Sequence, residues 1–137
     1  MNRLAIVIVL AIIVGGAAAC GPPTKNTPVE EIPKLTKLDD VMDNQATVMD
    51  PLFKKIGHST FSDDDWAQLT AAATKVQATS LKIKDFSKGA EFDALAMKLN
   101  QLATDLTNSY ASKDAIAANT ALTAMKATCK ECHSKFK

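Results

Sequence analysis

Beyond residue 30 the apolar residues of this chain recur three and four apart, and no stretch alternates apolar with polar over the length of a strand. That periodicity admits helices that each bury one stripe and leaves nothing from which to build a sheet. The first segment follows Pro33, where Leu35, Leu38, Met42, Gln45, Met49, Leu52 and Ile56 form a seam as narrow as that of a coiled coil, with Val41, Val48 and Phe53 beside it. Pro51 interrupts the seam. A proline inside a helix costs about 3 kcal/mol or more, so a kink near Asp50, or a break with Asp50 capping a second piece, is expected.

Three further segments repeat the pattern. Gly57 to Phe61 reads as a turn, and Ser62 with Asp65 three residues later reads as a capping box, with Asp63 to Asp65 meeting the positive end of the helix dipole. The second helix runs from about Asp63 to Lys84, burying Trp66, Leu69, Ala73, Val76, Ser80 and Ile83. Lys88 and Gly89 mark the next break. The third spans about Ala90 to Tyr110, with Phe92, Leu95, Ala96, Leu99, Leu102, Ala103, Leu106 and Tyr110 inward. The fourth runs from Asp114 to near the end, with Ala118, Leu122, Met125 and Cys129 on one face. Met97 and Met125 read as core, and His58 as a surface residue of the first turn. Four such helices joined by short turns satisfy one another as an all-α, antiparallel up-down-up-down four-helix bundle. Aromatic residues make up only 5% of the chain. So many alanines imply close packing around something else that fills volume, as a flat cofactor would.

The opening residues are set apart from this pattern. Met1 to Arg3 make a cationic start and Leu4 to Val14 an unbroken apolar run, short of the about 20 residues a spanning helix needs. This is the profile of a signal peptide over residues 1–19. Ala17-Ala18-Ala19 fits ordinary secretion, whereas small residues before Cys20 resemble a lipobox whose cysteine is acylated, although Ala17 stands where leucine is usual. The lipoprotein reading is preferred because a lone exported thiol otherwise has no use. Residues 20–32, rich in Pro and Thr at Gly21 to Val29, then form a flexible tether, and the bundle occupies 33–137. Either cleavage implies export to the periplasm of a Gram-negative bacterium, with the chain anchored to the membrane as a lipoprotein in the preferred reading.

Charge excludes one class of partner. Lys and Arg number 16 and Asp and Glu 15, and the one arginine, Arg3, leaves with the leader, so the mature chain balances to zero. Nucleic-acid binding has no electrostatic basis here. The lysines are nevertheless clustered at Lys126, Lys130, Lys135 and Lys137, which read either as a solvated face or as a collar that steers an acidic partner.

That cluster surrounds the terminal stretch CKECHSKFK, in which Cys129, Cys132 and His133 stand at i, i+3 and i+4 and so project from one face of the fourth helix. Structural zinc requires four ligands, and the remaining candidates are only His58 and Cys20. A redox dithiol belongs at the start of a helix that follows a strand, whereas this pair sits at the tail of a helix. Covalent haem uses every member: two thiols add to the porphyrin vinyl groups across a Cys-x-x-Cys turn, and the adjacent imidazole addresses the iron. Export agrees, because c-type haem is attached outside the cytoplasm.

A C-x-x-C-H box within five residues of the end of the chain, on the last of four helices, resembles the class II cytochromes c, the family of cytochrome c′ and its low-spin relatives. The resemblance covers about residues 31 to 137. It implies one haem c held through Cys129 and Cys132, with His133 as the proximal iron ligand. It also implies that a residue of the first helix closes the opposite face or leaves it open. Cytochrome c′ keeps that position open beside an arginine, which this chain lacks after Arg3. The low-spin relatives present an early methionine, and VMDNQATVM supplies Met42 and, seven residues on, Met49. Met42 matches the family position better and Met49 is the reserve. Both could instead be core. Gln45, on the same stripe, could bond a haem propionate or ligand, or lie at the bundle edge.

The expected function is that of a monohaem cytochrome carrying single electrons in the periplasm or at the membrane surface between redox partner proteins, without enzymatic turnover. The alternative keeps the iron five-coordinate and binds nitric oxide or carbon monoxide. Membrane contact would come through Cys20, and a homodimer is compatible with the family.

Overall fold

The computed structural model describes residues 26–137. The expected signal peptide and the acylated Cys20 lie outside the described residues. Four helices make up the body: α1 (Leu38–Phe53), α2 (Asp63–Ile83), α3 (Ala90–Ser112) and α4 (Ala115–Phe136), with a short 3₁₀ turn at Val29–Lys34 and another at Lys84–Phe86. Each helix packs on the next and α4 returns to α1, as the up-down-up-down bundle requires. The described residues contain no strand.

The helix starts follow from local chemistry. Ser62 accepts from the Asp65 N–H at 3.1 Å while the Asp65 carboxylate accepts from the Ser62 N–H at 3.0 Å, a complete capping box at the head of α2. Asp114 caps α4 by accepting from the N–H groups of Ile116 and Ala117, both at 2.9 Å. Gly89 precedes α3 with φ 117°, which disfavours any residue bearing a Cβ.

Departures from the periodic pattern have physical causes. α1 begins at Leu38 because Pro33 lies in the 3₁₀ turn and Leu35 exits it extended, with ψ 136°. It then runs unbroken through Pro51 to Phe53, so the break expected at Asp50 falls later. Pro51 forgoes the bond its N–H would make to the Thr47 carbonyl, but only Leu52 and Phe53 follow it in the helix, and Leu52, almost wholly buried, anchors that turn. The end of the expected tether is also packed. Ile32 is fully buried, the Thr27 N–H donates to Asn44 Oδ1 at 2.7 Å, and Lys75 donates to the Asn26 side chain. Tyr110 and Met97 are exposed, at 41% and 40%, rather than inward. Tyr110 instead lies beside Trp66, with ring centroids 6.2 Å apart, under the Lys113 ammonium. Met97 follows Ala96 onto the outer face of α3. Met125 is fully buried, as the pattern predicts.

Two apolar clusters fill the bundle. The larger joins Met49, Leu52, Trp66, Leu69, Leu99, Leu106, Leu122 and Met125, and the smaller joins Val41, Ile83, Phe92 and Ala96. Cys129 packs against the first and Cys132 against the second, so the C-x-x-C turn straddles the boundary between them.

Candidate haem site

The end of α4 that bears Cys129, Cys132 and His133 is pinned on one side only. Lys88, in the loop before α3, donates to the Phe136 carbonyl at 2.7 Å, and Phe136 meets the edge of Phe92 with ring centroids 5.3 Å apart. Lys135 bonds Glu91 and Glu131. All of these contacts face α3 or stay within α4. On the other side the α1–α4 seam is the most thinly packed flank of the bundle. A group inserted beside Cys132 can therefore displace α1 without dismantling the clamp on α4.

Two cavities lie along that seam and share Met42, Cys132 and His133. One is a small interior pocket of about 30 Å³ walled by all four helices, where Ile83, Leu95, Ala96, Leu99 and Thr128 join Gln45, Cys129 and the three shared residues. The other is a cleft of about 580 Å³ opening to solvent, rimmed by Leu38, Asp39, Asp43, Ala46, Lys88, Phe92, Phe136 and Lys137. The small pocket is walled almost wholly by apolar side chains, whereas Asp39, Asp43, Lys88 and Lys137 put charge on the rim of the cleft; two thiols, an imidazole and a thioether converge where the two meet. That donor set suits a haem: two thiols for the vinyl groups, imidazole nitrogen and thioether sulfur for iron, and hydrocarbon for the macrocycle.

The structure separates residues that the sequence left together. Met42, partly buried, shares the pocket with His133, whereas Met49 is buried in the larger core cluster and lines neither cavity. Gln45 is buried and gives its amide to the Thr79 hydroxyl at 2.9 Å, tying α1 to α2. Gln45 therefore lies inside the bundle and on the wall of the small pocket, not at the bundle edge. His58 is exposed, stacked on Phe61. The sequence pattern did not single out Thr128 or Lys88. Thr128 precedes the box on a buried face where its hydroxyl returns to the Ala124 carbonyl, and Lys88 reaches the cleft from a loop that carries no periodic signal.

Thiol electrostatics discriminate further. Burial pushes the Cys129 thiol up to about 11, with Cys132 and Asp50 adding to the effect. Burial also raises Cys132, against the pull of Lys88. Both lie in the last turns of α4, where the helix dipole disfavours negative charge. A thiol-exchange pair needs a thiolate, and this environment suppresses it. Among the described residues no three His, Cys, Asp or Glu side chains are grouped to hold a metal ion, which leaves the zinc reading without a ligand set.

Comparison with known protein families decides the class. The family model described as Cytochrome C′ matches residues 37–137, all four helices and the box included. The chain belongs to the cytochrome c′ family. No curated protein and no solved structure matches it. Membership makes this protein a haem-binding cytochrome and implies covalently bound haem c, in agreement with the chemistry of the pocket. Within the cytochrome, Cys129 and Cys132 are the described thiols available for attachment, and His133, the next residue, is the imidazole beside them.

Proposed function

We propose that this cytochrome is a monohaem, periplasmic electron carrier in which Cys129 and Cys132 hold the haem, His133 ligates the iron from the proximal side and Met42 ligates it from the other. The bound haem supplies a single-electron couple; the chain supplies ligands, an apolar wall and exclusion of water. One observation carries the reading: Met42 lines the same pocket as His133 from the opposing helix, while Met49 is packed elsewhere. A thioether in that position favours ferrous haem and raises its potential. With Met42 at the sixth position, a bound haem would carry electrons rather than take up gases. Ile83, Leu95 and Leu99 keep water from the macrocycle, and Gln45, held by Thr79, fixes the pitch of α1 beneath Met42. The chain acts without enzymatic turnover, between redox partner proteins, anchored through an acylated Cys20 after removal of residues 1–19.

Absorption spectra of the purified holoprotein test this. A low-spin spectrum with the weak near-infrared iron–methionine band in the oxidised form, lost in Met42→Ala and kept in Met49→Ala, is the expected result. A high-spin wild-type protein that takes up carbon monoxide readily would replace electron transfer with gas binding.

A further inference from the structure

The four lysines clustered in the sequence do not form one group in space. Lys135 is committed to Glu91 and Glu131. Lys126, Lys130 and Lys137, by contrast, make no ion pair with any described residue and are all exposed. They stand at i, i+4 and i+11, the first two on α4 and Lys137 at its C-cap, and the fourth member of that stripe, at i+7, is the exposed His133. At 1.5 Å per residue the stripe is about 16 Å long, and it flanks the residue proposed to bind iron.

The opposite lip of the seam is acidic. α1 exposes Asp39, Asp43 and Asp50 at the same spacing of i, i+4 and i+11. The helices are antiparallel, so Asp39 shares the cleft with Lys137 while Asp50 acts on Cys129. No ion pair between described residues crosses from one row to the other. A haem held at this seam would have its edge between a positive and a negative row, and a charged visitor would be drawn to one and turned from the other.

We infer that the α4 row, Lys126, Lys130 and Lys137, is the docking surface for a protein redox partner that presents an acidic patch. Such a patch sits over His133 and is repelled by α1, which fixes its approach as well as its rate. The exposed residues between Lys126 and Lys137 are Ala127, Lys130, His133, Ser134 and Lys135, with no large apolar side chain among them to enter a lipid layer, which favours a protein over a membrane. The inference rests on the electron-carrier reading and names the partner chemistry of that same site.

The test uses reduced holoprotein and two one-electron oxidants of opposite charge, the anion hexacyanoferrate(III) and the cation tris(phenanthroline)cobalt(III). In each reaction the ferrous haem loses one electron and the reagent gains it. The hexacyanoferrate rate constant is expected to fall as salt is added. In the triple variant K126Q/K130Q/K137Q it should drop about tenfold at low ionic strength and lose most of its salt dependence, whereas K98Q, which removes a lysine near Glu131, should stay within about twofold. Poly-L-glutamate should inhibit the wild-type reaction and leave the triple variant unaffected. A cobalt reaction that is the faster and the more strongly salt-suppressed of the two would assign docking to the α1 row and overturn the inference, as would a triple variant that behaves as wild type. Partition onto phosphatidylglycerol vesicles should be equal for wild type and triple variant; a lysine-dependent difference would give the face to a membrane instead. A preparation without haem would react with neither oxidant, and would overturn the carrier reading rather than the docking face.

Discussion

Two methionines seven residues apart have identical chemistry, and only their burial and surroundings differ. Met49 is enclosed by Leu52, Trp66 and Leu122, so Met49→Ala should cost about 2–5 kcal/mol in denaturant unfolding while leaving the near-infrared band in place. Met42→Ala should do the reverse, abolishing the band, lowering the reduction potential and admitting carbon monoxide, with a smaller loss of stability. Asp65 provides a second residue-level prediction. Lys55 and the Ser62 N–H hold its carboxyl at about 2 against an ordinary 3.8. A folded value below the unfolded one stabilises above the ordinary value and is lost as pH falls through the folded one. The melting temperature should therefore decline between about pH 4 and pH 2, and Asp65→Asn should flatten that decline.

Among the elements, α1 and α4 differ in how firmly they are held. α4 is capped by Asp114 and clamped at its far end through Phe136 and Lys135, whereas α1 lacks a side-chain cap and touches α4 sparsely. Asp114→Ala should lower stability by about 1 kcal/mol, measured by thermal or denaturant unfolding. α1 rests on α2 through Gln45 and Thr79, and at its start on the buried Ile32 of the preceding 3₁₀ turn. Helix content and capping here were legible from residue types: the Ser62–Asp65 box and the glycine before α3 fall where the sequence places them. The start of α1 was not, because Leu35 keeps the apolar spacing while Pro33 and the extended backbone after it hold the chain out of the helix. Pro51 misled in the opposite direction, since the burial of Leu52 holds the last turn in place although the proline forgoes one helical hydrogen bond.

For the whole molecule, the thin α1–α4 seam is the flank that a bound haem would complete. Replacing both attachment thiols, in C129A/C132A, should lower the melting temperature markedly. Hydrogen exchange should then be fastest in α1, because loss of the macrocycle removes apolar contact from the flank with the least of its own. Equal protection of α1 and α3 in that variant would show that the seam closes without the cofactor.

The residues themselves determined the helical class, the four segments and the chemistry of the terminal box, because periodicity, capping pairs and the Cys-x-x-Cys-His spacing are local properties that do not depend on what packs where. Tertiary structure alone decided which methionine shares a pocket with His133, that Gln45 is engaged by Thr79, that Tyr110 and Met97 are exposed, and that three of four clustered lysines make no ion pair with a described residue. Each of these is set by the rotation of one helix against its neighbours, and a stripe of apolar residues fixes that rotation only to within a side chain's width.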